Sequence, residues 1–97
     1  MEIKQTAIAG TLESSDIQIM LSKGQSGIQI DLESDVKKQF GDQINAVITE
    51  TLKKFDIDNV KVKAVDKGAL DCVIKARTIA AAQRALKTVD QPAWEVL

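Results

Sequence analysis

Ninety-seven residues, 44% of them hydrophobic, carry thirteen basic and fourteen acidic side chains for a net charge of −1. That size suits one domain over residues 1–97, and the charge balance lacks the cationic field of a non-specific nucleic-acid binder. Three aromatics (Phe40, Phe55 and Trp94), one cysteine (Cys72) and no histidine exclude a base-stacking platform, a disulfide framework and a multi-cysteine zinc site.

No positively charged N-terminal stretch precedes a long apolar core. No run approaches the roughly 20 apolar residues that span a bilayer. The expectation is a cytoplasmic protein without a membrane or nucleic-acid partner.

Residues Glu2 to Leu12 show no clean period, and a short strand is expected there. The polar bend Gly10-Thr11-Leu12-Glu13-Ser14-Ser15-Asp16 follows. Asp16 to Ser22 then alternates, with Ile17, Ile19 and Leu21 on one side, and Gly27 to Leu32 repeats the pattern with Ile28, Ile30 and Leu32. The two runs flank Lys23-Gly24-Gln25-Ser26-Gly27 and read as an antiparallel hairpin.

Ser34 has the chemistry of a helix N-cap, with Asp35 in the first turn. Val36, Phe40, Ile44, Val47, Ile48, Leu52 and Phe55 form an apolar stripe along a helix of about five turns. Gly41 lies inside that helix, and close packing of another backbone accounts for it. Asn59 to Asp66 alternates again, and Asp66-Lys67-Gly68 signals a second hairpin. Leu70 to Arg77 reads as a strand with Leu70, Cys72, Ile74 and Ala76 on one side. Thr78 to Val89 reads as an alanine-rich helix, Pro92 ends regular structure, and Trp94 closes the chain.

The order β-β-β-α-β-β-α implies an α+β two-layer sandwich. Its antiparallel or mixed sheet has four to five strands, with two helices on one face.

Few residues are candidates for chemistry. Ser14 and Ser15 lie between Glu13 and Asp16, and a serine without a nearby base is no nucleophile. Serines in such a bend mostly bond local backbone, and the bend also suits an attachment point, for which Ser14 is the candidate hydroxyl. Glu13 and Asp16 read as a solvated loop. Cys72 reads as a small core hydrophobe. Asp31, Glu33 and Asp35 resemble the start of a cation loop, but Lys37 and Lys38 break that pattern and a helix-capping cluster fits better. No metal site is expected. Lys61, Lys63 and Lys67 read as guards of a sheet edge. Trp94 suits either packing on the core or anchoring a partner.

Four strings carry a likeness to a known family. Ala9-Gly10-Thr11-Leu12-Glu13-Ser14, Gln39-Phe40-Gly41-Asp42, Asp66-Lys67-Gly68-Ala69-Leu70-Asp71-Cys72 and Pro92-Ala93-Trp94-Glu95 resemble the acyl carrier protein, or gamma subunit, of citrate lyase. The likeness runs through nearly the whole chain in order. It implies a 2'-(5''-phosphoribosyl)-3'-dephospho-CoA group joined by a phosphodiester to Ser14. It also implies a prosthetic-group transferase (the holo-synthase) that loads the group. An alpha transferase subunit would exchange acetyl for citryl on the terminal thiol. A beta lyase subunit would cleave the citryl thioester to oxaloacetate and restore the acetyl form. Citrate thus becomes oxaloacetate and acetate while this chain catalyses neither step.

Members of that family often have glycine after the modified serine. Here Ser15 stands at that position, which makes it the second candidate. The fatty-acid type of carrier, with Asp-Ser-Leu at a helix start in an acidic bundle, is a different pattern absent from this chain. Two other readings remain: a non-catalytic adaptor subunit with Ser14 unmodified, and a small acid–base enzyme. Without histidine or a clear acid–base pair, the second of these is poorly supported.

Overall fold

The structure, a computed structural model, describes residues 3–34 and 37–86. The expectations placed on Asp35, Val36, Val89, Pro92 and Trp94 therefore lie outside the described residues. The elements run β1 (Ala7–Ala9), β2 (Ile17–Lys23), β3 (Ile28–Ser34), α1 (Lys37–Lys54), β4 (Val60–Asp66) and α2 (Asp71–Leu86).

The strands form one mixed sheet in the order β1-β2-β4-β3. Strand β4 runs antiparallel to β2 and parallel to β3, and β1 runs antiparallel to β2. Parallel neighbours need a crossover, and α1 supplies it between β3 and β4. Helix α1 packs on β3, α2 packs on β1 and β2, and the helices touch each other. This is the expected α+β sandwich, with both helices on one face.

Register explains the alternation. Ala9, Ile19, Ala64 and Leu32 form one cross-strand row, and all four are buried. Ile8, Met20, Lys63 and Asp31 form a row on the opposite, solvent-facing side, where Ile8, Lys63 and Asp31 are exposed. Ile44, Ile48 and Leu52 bring the apolar stripe of α1 onto the buried face, as its spacing predicts. Gly41 is buried within the same helix.

The end of α1 is closed by Asp56, at φ 56°. Its N–H reaches the Lys53 carbonyl at 3.0 Å, and the Ile57 N–H reaches the Leu52 carbonyl at 3.3 Å. This is a Schellman ending, with buried Ile57 as its hydrophobic contact.

Several expectations are corrected. Strands β2 and β3 are not a hairpin, because β4 lies between them. Their connection crosses the start of β4: the Val60 N–H donates to the Gly27 carbonyl at 3.1 Å, and the Gly27 N–H to Asn59 Oδ1 at 2.8 Å. Asp66-Lys67-Gly68 is a strand-to-helix turn, not a hairpin. The Asp66 carboxylate accepts the Ala69 N–H at 2.9 Å, and the Leu70 carbonyl accepts the Ile74 N–H at 3.0 Å, so α2 starts at once. The strand expected over Leu70–Arg77 is thus the first part of α2.

Cys72 is consequently exposed and not a core residue. Lys61 and Lys63 lie on a central strand, opposite Gln29 and Asp31, and do not guard an edge. Asp31 and Glu33 belong to the solvent face of β3, not to a helix cap. Ser34 ends β3, and its hydroxyl donates to Asp66 Oδ2 at 2.9 Å.

Candidate functional site

The bend between β1 and β2 begins at Gly10, with φ at +89°. A Cβ there would collide with the Ile17 carbonyl oxygen, so only glycine lets the two strand ends approach this closely. The loop then makes one tight turn. The Asp16 N–H donates to the Glu13 carbonyl at 3.2 Å, leaving Ser14 and Ser15 as the two central residues. Ser15 takes φ 65°, the left-handed conformation that the third residue of a type II turn requires.

The base of this turn is held from two sides. On the sheet side, the Ser15 N–H donates to the Lys67 carbonyl at 2.7 Å, and the Lys67 N–H donates to the Asp16 carbonyl at 2.8 Å. These bonds carry the β2–β4 ladder beyond the Ile17–Asp66 pair. On the helix side, Arg77 donates Nε to Asp16 Oδ1 at 3.0 Å and Nη2 to Oδ2 at 3.1 Å. A bidentate guanidinium fixes orientation as well as distance.

Asp16 accepts three further bonds, from the Thr11 hydroxyl (2.7 Å), the Thr11 N–H (3.2 Å) and the Ile17 N–H (2.7 Å). The Thr11 hydroxyl, the Arg77 guanidinium and the Ile17 amide together hold its carboxyl well below the usual carboxylate range. Partial burial pushes the other way and loses. Asp16 is therefore a buried bolt, 9% exposed, and not the solvated loop residue its sequence context predicts. Neither Arg77 nor Thr11 is marked by the sequence as a partner of Asp16. Arg77 lies 61 residues from Asp16, and no local spacing announces that contact.

Ser14 and Ser15 themselves are exposed, and among the described residues neither hydroxyl is held by a hydrogen bond. Their backbones differ. The Ser15 amide is pinned to the Lys67 carbonyl, one residue past β4, whereas Ser14 is the first of the turn's two central residues. Glu13 is the exposed carboxylate beside it, since Asp16 is neutralised by Arg77. A mobile group linked to Ser14 fits here: the hydroxyl is reachable, unpaired, and mounted on a fixed base. Among the described residues no group of three or more potential metal ligands converges, and no helix is long and apolar enough to cross a membrane.

Comparison with known proteins is decisive about the family. A citrate lyase acyl carrier protein from Lactiplantibacillus plantarum is 78% identical over 97 residues, covering 100% of both chains. One from Lactobacillus acidophilus is 75% identical over the same span and coverage. The chain belongs to the citrate lyase acyl carrier protein family.

A family model described as the malonate decarboxylase delta subunit (MdcD), an acyl carrier family, also matches residues 4–85. Among solved structures, a chain of a Pseudomonas malonate decarboxylase hetero-tetramer, determined with malonate, has the same fold at a TM-score of 0.72. The two are 19% identical, and the match covers 88% of each chain. As a member of its family, the chain is an acyl carrier subunit of a multi-subunit enzyme, a carrier and not a catalyst. Carriers of this type bear a prosthetic group.

Proposed function

We propose that Ser14 carries a 2'-(5''-phosphoribosyl)-3'-dephospho-CoA group through a phosphodiester at Oγ. In this reading the single carrier domain serves the alpha (transferase) and beta (lyase) subunits of citrate lyase in the cytoplasm. The observation that supports it most is the contrast within seven residues: a free serine hydroxyl central in a turn whose base is bolted to α2 and to Lys67, one residue past β4. When bound, the group supplies a terminal thiol on which acetyl and citryl travel as thioesters.

The chain's own residues do the rest of the work by position. Asp16 and Arg77 hold the turn, so the hydroxyl meets the loading transferase (the holo-synthase) in one orientation. The chain offers no histidine to take the Ser14 proton during loading, and this reading assigns that step to a base of the transferase. Tethering then replaces a bimolecular encounter by an intramolecular one, at an effective concentration on the order of millimolar for a flexible link.

Intact-mass measurement in a host expressing the loading enzymes tests the assignment. Wild type and Ser15→Ala should gain the mass of the group, and Ser14→Ala should not. Loading blocked only by Ser15→Ala moves the site by one residue. An unmodified wild-type chain from a native host that is cleaving citrate would leave a purely structural adaptor.

A further inference from the structure

A groove of about 460 Å³ opens between the beginnings of the two helices. Phe40, Ile44, Leu70 and Ile74 give it apolar walls, and Gln43 and Asp71 give it a polar rim. Gln43 Nε2 donates to Asp71 Oδ2 at 2.7 Å, which bridges α1 and α2 across the rim. Phe40 is 48% exposed and Leu70 71% exposed. Two large apolar side chains open to water in one depression mark a binding surface more than ordinary surface composition does.

We propose that this groove is the resting place for the uncharged, thiol-bearing end of the group carried by Ser14. The proposal rests on the attachment reading above. Continuity is the first argument. The Lys67 carbonyl that receives the Ser15 N–H is followed directly by Gly68, Ala69 and Leu70, which line the groove. Three residues span at most about 10 Å of chain, so the groove begins beside the attachment turn.

Charge is the second argument. Among the side chains the structure describes, the titratable ones lining the groove are those of Asp66 and Asp71. Phosphates are repelled from such a lining, whereas an amide-bearing, methyl-bearing stretch is accepted. Its N–H groups can donate to carboxylate or amide oxygens at the rim, and its methyls can lie against Phe40 and Leu70. A second copy of the chain is the weaker occupant, because two exposed side chains fall far short of the roughly 1,000 Å² of a stable interface.

The test uses the full chain with Cys72→Ser, since the exposed Cys72 thiol would compete for label. The protein is loaded by co-expression, its mass is checked, and a nitroxide is attached to the terminal thiol of the group. Amide signals of Ile44, Leu70, Asp71 and Ile74 should be lost by paramagnetic broadening and return when the nitroxide is reduced. Leu70→Glu, at an exposed position that tolerates the change, should restore them with the label still active; Phe40→Asp should do the same. Groove broadening that is equal in the unsubstituted chain, Leu70→Glu and Phe40→Asp reflects the short tether alone; it overturns this proposal and leaves the attachment standing. Concentration-dependent shifts of the groove signals in the unloaded chain overturn it in favour of a second copy. Absence of any added mass overturns the attachment reading and this one together.

Discussion

Arg77 grips Asp16 with two nitrogens, at 3.0 and 3.1 Å, across 61 residues of sequence. The pair ties α2 to the loop that bears Ser14, so a helix remote in sequence sets the geometry of that turn. Its electrostatics give a pH signature. The folded Asp16 carboxyl is held well below the ordinary carboxylate range by Thr11, Arg77 and the Ile17 amide. A depressed folded pKa contributes stability that is complete above the unfolded value and is lost as pH falls toward the folded one. Asp16→Asn should therefore lower the urea midpoint strongly at about pH 7 and much less at about pH 2.5. An equal difference at both pH values would mean that the carboxylate charge plays no part. Arg77→Met should likewise lower the melting temperature and slow loading of Ser14, while the far-ultraviolet circular dichroism stays native.

Ser15 supplies a second prediction. Its φ of 65° is a conformation that costs a side-chain-bearing residue about 1–2 kcal/mol. Glycine removes that cost but loses about 0.5–1 kcal/mol more in chain entropy on folding. Ser15→Gly should thus be neutral to stabilising, by about 0–1.5 kcal/mol. The variant leaves Ser14 as the turn's only hydroxyl, and full loading by intact mass is expected. A clear loss of stability would contradict the turn geometry, and a loss of loading would reassign the anchor to Ser15.

The same turn shows what a sequence reveals and what it hides. Alternation in Ile17–Lys23 and Val60–Asp66 was legible because one face of each strand is buried by the helices. Strand partners were not. Gly24 and Gly27 flank a stretch that looks like a hairpin turn, yet the chain crosses the start of β4 there. An 18-residue helix between two strands is itself a signal for a parallel βαβ unit, which is the pairing that β3 and β4 make. Ser14 is singled out by a family string, and its exposure is what the bend's polarity predicts. Its bolt is not so marked, because Asp16 and Arg77 are each ordinary surface residues until the fold brings them together.

Gly24 reports on that crossing. A Cβ on it would stand 2.6 Å from the Val60 nitrogen and 2.9 Å from its Cα, both backbone atoms that cannot step aside. Gly27 has φ +77°, but a Cβ there meets nothing within 4 Å. Gly24→Ala should cost about 1–3 kcal/mol as overpacking, and Gly27→Ala only about 1 kcal/mol of backbone strain. Denaturant midpoints compare them directly. If β2 and β3 were a simple hairpin, Gly24 would have no β4 backbone against it and the ranking would disappear.

Cys72 distinguishes the two accounts of residues 70–77 at the bench. In the strand account, Leu70, Cys72, Ile74 and Ala76 share one buried side. In the helix, burial instead falls on Ile74, Thr78, Ala81, Ala82 and Ala85, a spacing of 3.6 residues per turn, while Leu70, Cys72 and Ala76 are exposed. The Thr78 hydroxyl confirms the helical path by donating to the Ile74 carbonyl one turn back at 2.8 Å. A maleimide should therefore modify Cys72 fully in the native, unloaded protein, at the rate of an accessible thiol. Cys72→Ser should change stability by no more than about 0.5 kcal/mol, as expected of an exposed position. Ile74→Ala, two residues on and fully buried, should cost about 2–5 kcal/mol. A thiol that reacts only after unfolding would return this segment to the sheet and remove the helix from which Arg77 reaches Asp16.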